Sequence, residues 1–356
     1  MLKKLLVISC ILAIMIETLL GCTQNTVSVN LSNTNKKPVK VAVLLYNFND
    51  IFQSLYMESL KQIQKENEGK VEFTFYDGKT DQNVQNETLD TILKEKTFDI
   101  IALNLVDSGS SREVIDKIKN YNIPAIFIGG EVKAVASYEK AYFIESHPTE
   151  GGELQGKIII DAWNSNRSSI DKNGDNIIQY IMLMGRSESL QARDRTRYSI
   201  STINNARIET QELGTYVANW NKEEAYIAIK SAFSKFGKKI ELIISNNDAM
   251  AIGAIQALQE YGYNLGDKQK TIAVVGIDAI QEAQDLIKKG FMIGTVIQDP
   301  YDLAMALYLM SMNLANNKKP YEGIGYEFDQ LRSTLIVPYK GVITNLGKMS
   351  DSNSNT

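Results

Sequence analysis

Short runs of β-branched residues alternate with amphipathic stretches along nearly all of this 356-residue chain, and that alternation restricts the fold to a small set. Val39-Lys-Val-Ala-Val-Leu-Leu-Tyr46 reads as a buried strand, and the next segment carries Phe52, Tyr56, Leu60 and Ile63 at helical spacing. Val71 to Tyr76 reads as a second strand, with Val84, Leu89, Ile92 and Leu93 on a helix behind it. Runs at 100–103, 124–128, 177–184, 242–245, 272–275 and 293–296 continue the pattern. Repeated βα units wind helices over both faces of a parallel sheet. About 310 residues lie between the polar ends, more than one hydrophobic core usually serves. The expectation is an α/β protein with two doubly wound parallel-sheet lobes. Ligands of such sheets bind in the crevice beyond the carboxyl ends of the strands, so the residues directly after each strand matter most.

The two ends of the chain lack this pattern. Lys3 and Lys4 precede an apolar run from Leu5 to Ile16, and Leu19-Leu-Gly-Cys22 follows it. The run falls short of the ~20 apolar residues that a spanning helix needs. Its ending resembles the lipobox at which bacterial lipoproteins are cut and acylated. Residues 1–21 are therefore expected to be a lipoprotein signal peptide. Cys22 would be the lipidated mature N-terminus, tying the protein to the outer face of the cytoplasmic membrane. Residues 22–38, rich in Ser, Thr and Asn, read as a flexible tether, and 349–356 as a disordered polar tail.

Composition then narrows the chemistry. The other cysteine, Cys10, lies in the segment expected to be removed, so the folded region has no thiol for a disulfide, a metal or a nucleophile. The single histidine, His147, stands just ahead of a helical pattern as a surface residue would, and one imidazole cannot build a multi-histidine zinc centre. A net charge of −4 with both signs interspersed offers no basic face for nucleic acid. Gly151-Gly-Glu-Leu-Gln-Gly-Lys157 has the spacing of a phosphate-binding loop, but Ile158 stands where Ser or Thr is required and no strand precedes it. One poorly placed histidine leaves no Ser-His-Asp arrangement. The chain is read as a binding protein, not an enzyme.

Polar residues gather at the strand ends: Asn49-Asp50, Asn104, Asn246-Asn247-Asp248, Asp278 and Gln298-Asp299. Planar carboxylates and amides suit the neighbouring hydroxyls of a pyranose, each of which both donates and accepts. The same residue types also cap helices, so either reading fits any one of them.

Tyr46-Asn-Phe-Asn-Asp-Ile-Phe52, Asn104-Leu-Val-Asp107, Ser245-Asn-Asn-Asp-Ala-Met-Ala251 and Val275-Gly-Ile-Asp-Ala279 resemble the periplasmic galactose/glucose-binding protein family, from about Val39 to Val342. The resemblance implies a type I periplasmic binding protein with three hinge crossings. It places an N-terminal lobe at 39–128 plus 299–333 and a C-terminal lobe at 129–298 plus 334–348. It implies hydrogen bonds to a monosaccharide from Asp50, Asn104, Arg195, Asn247 and Asp278, with Phe52 and Trp220 stacking on the two sugar faces. It also implies that Asp50 and Asp278 bind and do not form a hydrolase acid/base pair. Ser189, Gln191 and Gln298 fall at pocket positions where the family has histidine, an acidic residue and asparagine, so specificity is open to change. A monomer that hands its sugar to the membrane permease of an ABC transporter is implied. A sensor that signals to a membrane kinase or chemoreceptor is the alternative.

A second motif, Asp171-Lys-Asn-Gly-Asp-Asn-Ile-Ile-Gln179, resembles an EF-hand calcium loop. Asp171, Asn173, Asp175 and Gln179 supply side-chain oxygens, and Ile177 supplies a carbonyl. Met182 stands where the bidentate glutamate would be, and Asn176 where glycine would be. Asparagine is among the few residues that visit a left-handed turn. The family takes its missing carboxylate from a distant strand, which implies Glu241 here and a structural Ca2+ ion.

Overall fold

A computed structural model describes residues 37–129, 133–329, 333–345 and 347–349. The expected signal peptide, tether and Cys22, and the tail beyond Met349, lie outside the described residues.

In the first half, β1 (Val39–Leu45), α1 (Ile51–Glu66), β2 (Val71–Asp77), α2 (Gln82–Glu95), β3 (Ile100–Leu103), α3 (Ser111–Asn120), β4 (Ala125–Ile128) and β5 (Ala141–Glu145) follow in order. The second half holds α4 (Pro148–Ser165), β6 (Ile177–Met184), α5 (Leu190–Asn205), β7 (Glu209–Val217), α6 (Lys222–Phe236) and β8 (Leu242–Ser245). It continues through α7 (Asp248–Glu260), β9 (Ala273–Ile277), α8 (Gln281–Lys288) and β10 (Gly294–Val296). Helix α9 (Pro300–Ala315) and the short strands β11 (Glu327–Phe328), β12 (Thr334–Ile336), β13 (Val342–Thr344) and β14 (Gly347–Met349) close the chain. The strands form two seven-stranded sheets, ordered β11-β12-β5-β4-β3-β1-β2 and β14-β13-β10-β9-β8-β6-β7. Both are parallel through their centres, with antiparallel pairs only at the β11 and β13/β14 ends. Central strands such as Ile100–Leu103 and Leu242–Ser245 are buried along their whole length because helices cover both faces.

The lobe boundaries differ from those expected. Residues Ala141–Glu145 pair with β4 and so belong to the first lobe, not to a second lobe starting at 129. Thr334–Ile336 pairs with β5, so this strand also stays in the first lobe. Burial explains both corrections: Ala134, Val135, Tyr138 and Phe143 fill one face of the first sheet, and Ile144 and Leu335 fill the other. The chain therefore crosses between lobes after Glu145, after Val296 and after Ile336. The crossings lie side by side. Val337 N–H donates to the Glu145 carbonyl at 2.8 Å, and Ile297 N–H to the Gly341 carbonyl at 2.8 Å.

Candidate functional site

Beyond the carboxyl ends of both sheets lies a cavity of ≈ 90 Å³, room for a handful of waters or one small ligand. It is lined by every residue expected at the ligand site. Asp50, Phe52 and Asn104 come from the first lobe, Ser189, Gln191, Arg195, Trp220, Asn247 and Asp278 from the second, and Gln298 from the second crossing.

Arg195 organises the second-lobe wall. It is 2% exposed. Its Nη1 donates to the Asn246 carbonyl at 2.8 Å, and its Nη2 to Gln298 Oε1 at 2.8 Å and to the Tyr339 hydroxyl at 3.1 Å. Asp278 Oδ1 stands 4.0 Å from Nη1. The backbone at Asp278 takes φ +125° and at Ala279 φ +58°, conformations that cost about 1–3 kcal/mol each and persist only where the surroundings impose them. Burial pushes the Asp278 carboxyl well above its ordinary range; Arg195 opposes the shift, and the charges of Asp248 and Asp50 add to it. Asp248 lies fully buried beneath, accepting from Thr295 Oγ1 at 2.7 Å and from Ile280 N–H at 3.0 Å.

The strand-end residues do two jobs. Asp50 Oδ1 caps α1 by accepting from Gln53 N–H at 2.8 Å, while Oδ2 accepts from the Tyr46 hydroxyl. Asn247 Oδ1 caps α7 through Met250 N–H at 3.0 Å, and its Nδ2 donates to the Trp220 carbonyl at 3.2 Å. Ser189 Oγ caps α5. A cap occupies only part of each side chain's hydrogen-bonding capacity, so capping and lining the cavity are compatible. Asn104 donates through Nδ2 to the Ile128 carbonyl.

Several lining residues were not expected: Tyr46, Glu145, Ser146, Arg186 and Glu188. Arg186 reaches from the second lobe to donate to the Val106 carbonyl of the first, and its guanidinium lies 4.8 Å from the Tyr46 ring centre. It follows β6 by two residues, so the strand-end rule points to it. Applied to carboxylates and amides alone, that rule passes over it.

The EF-hand-like loop lies apart from this cavity. Asn173 Nδ2 donates to Asp175 Oδ2 and to Gln179 Oε1, both at 3.0 Å, and Gln179 Nε2 donates to Asp175 Oδ2 at 2.8 Å. Glu241, 1% exposed, accepts from Lys172 N–H at 2.6 Å and from Asn173 and Gln179 N–H at 3.2 Å each. Burial raises its pKa, and the charge of Asp171 adds to the rise. Asn176 adopts φ +64° and makes the turn where glycine is usual. Among the described residues, no three imidazole, thiolate or carboxylate groups converge as a metal centre. The loop's donors are amide, carboxylate and carbonyl oxygens, which suit a hard cation.

Residues 41–319 match the periplasmic binding protein domain. The chain belongs to the periplasmic binding protein family. It is a solute-binding protein that works outside the cytoplasm, not an enzyme. It is 35% identical over 309 residues to the D-galactose/methyl-galactoside binding periplasmic protein of Haemophilus influenzae, covering 85% of this chain and 89% of that one. A solute binding protein from Bacillus halodurans, solved with bound myo-inositol, shares the fold at TM-score 0.70 and 22% identity, covering 87% of this chain and 96% of the other. One from Actinobacillus succinogenes, solved with D-allose, does so at TM-score 0.69 and 19% identity, covering 87% and 98%.

In this binding protein, Gly185 sets the depth at which the indole of Trp220 sits. A Cβ there would lie 2.3 Å from Cε2 and Cζ2 of the ring. Gly185→Ala should therefore displace the ring and weaken ligand binding about 10-fold, as overpacking costs ~1–3 kcal/mol. Calorimetric titration of the two proteins checks this, and equal affinities would mean the indole is no wall of the site.

Proposed function

We propose that this chain is a lipid-anchored extracytoplasmic receptor that captures a monosaccharide, a galactose- or glucose-like hexose, and delivers it to the permease of an ABC transporter. The observation that carries this reading is the make-up of the cavity. Carboxylates, amides and the Arg195 guanidinium surround it, with Phe52 from one lobe and Trp220 from the other. Aromatic rings match the apolar C–H faces of a sugar, and planar polar groups match its ring hydroxyls. The galactose-binding relative, similar over the length of both chains, supports a hexose.

In this reading Cys22 carries the lipid. The loop of Asp171, Asn173, Asp175, Ile177 and Gln179, with Glu241, holds a structural Ca2+ ion. The crossed amides of Asn173 and Gln179 need only rotate to present their oxygens to it.

Thermal unfolding against a panel of monosaccharides tests the proposal. A sugar at 100 times its dissociation constant should raise the midpoint by roughly 5–10 °C. No shift with any sugar would reject the ligand class.

A further inference from the structure

One corner of the cavity carries polar groups that no partner among the described residues satisfies. Glu145 ends β5 at the first crossing. With Ser146 and Gln191 it lines both the main cavity and a recess of ≈ 10 Å³ bounded by Gly129, Pro148 and Leu190. A space of ~10–15 Å³ holds one water-sized group. Ser146 is 3% exposed, and among the described residues neither its hydroxyl nor the Gln191 amide has a hydrogen-bond partner.

The other carboxylates around the cavity are compensated. Glu188 stands 3.6 Å from Arg186, Asp278 stands 4.0 Å from Arg195, and Asp50 accepts the Tyr46 hydroxyl. Glu145 is different. Its side chain is 22% exposed, and its one ion-pair partner among the described residues is the largely exposed His147 ring, at 3.9 Å.

We propose that this recess seats the ammonium group of an amino sugar, with Glu145 as its counter-ion and Ser146 Oγ and Gln191 Oε1 as further acceptors. The inference rests on the reading of the cavity as a sugar site. An ammonium donates three hydrogen bonds and accepts none, which fits a corner whose carboxylate accepts no hydrogen bond among the described residues. A neutral hydroxyl at the same place leaves the charge of Glu145 unopposed, and charge-assisted bonds are about twice as strong as neutral ones.

The titration of Glu145 supplies an independent readout. Burial, then the charges of Asp194 and Asp329, push its carboxyl up to about 7. Among the described residues its one ion-pair contact is the His147 ring at 3.9 Å, so a seated ammonium draws the pKa back down. Capture of an amino sugar near pH 7 therefore releases a proton.

Calorimetric titration of the protein with glucose, galactose and their 2-amino-2-deoxy and 6-amino-6-deoxy forms tests this. At least one amino form should bind ~10-fold or more tightly than its parent. The measured heat should vary with the ionisation enthalpy of the buffer. Glu145→Gln should bring the ratio of affinities close to one and reduce the buffer dependence, with a melting curve confirming the fold. Parent sugars that bind as tightly as every amino form would overturn the inference and leave the sugar-receptor reading standing. Binding by neither class would overturn both, and a ratio that survives Glu145→Gln would remove Glu145 from the role.

Discussion

Asp278→Ala should weaken binding of the captured sugar by about 100-fold or more while leaving the melting temperature within a few degrees. The carboxylate is almost fully buried in the cavity wall and can accept from two neighbouring hydroxyls, and each hydrogen bond to a charged group contributes ~1.5–3 kcal/mol. The fold, by contrast, gains little from it. A carboxyl whose pKa is raised on folding favours the folded state below the ordinary carboxylate range and loses that contribution as pH rises through the raised value. Burial and the charges of Asp248 and Asp50 oppose ionisation of this side chain in the folded protein, so its removal relieves a cost to the fold. Arg195 keeps its bonds to Asn246, Gln298 and Tyr339. Titration calorimetry and a melting curve separate the two effects, and undiminished affinity would sink the assignment of this wall.

If the loop holds calcium as proposed, removing the ion should lower the melting temperature by roughly 8–16 °C. This is the shift given by free metal at about 1,000 times its dissociation constant, worth ~4 kcal/mol. Asp171 and Glu241 are both buried, and the charge of Asp171 adds to the cost of ionising Glu241 unless a cation lies beside them. Glu241 also ties the loop to the start of β8 through Lys172, Asn173 and Gln179. Loss of the ion should therefore loosen the second lobe first. A chelator that leaves the melting curve unchanged, with magnesium absent throughout, would show that the loop is held by its own hydrogen bonds.

The central strands were legible because burial on both faces writes them as continuous apolar runs, as in Ile100–Leu103 and Leu242–Ser245. Strand β7 was not. It lies at the edge of its sheet with mostly exposed or half-buried residues, and Leu213 is an extra residue in its pairing with β6, so neither a run nor a strict alternation marks it. Strand β5 was missed too, and with it the lobe boundary and Glu145, because the rule that finds a site beyond strand ends works only where the strand has been seen. The expected pocket residues all reached one cavity because each lies just beyond a strand or in the first two turns of the next helix. Arg186 needed the structure: its importance comes from reaching the other lobe, a distance no local pattern encodes.

That reach has a thermodynamic consequence. The bond from Arg186 to the Val106 carbonyl joins the lobes through protein atoms alone. It therefore stabilises any arrangement in which the lobes lie this close by an amount that does not depend on the sugar. Such a contact shifts the balance between open and shut forms and multiplies the affinity for every ligand by one common factor, leaving their ranking unchanged. Selectivity and overall sensitivity can thus evolve separately in this chain, the first through the cavity wall and the second through a single arginine at its rim.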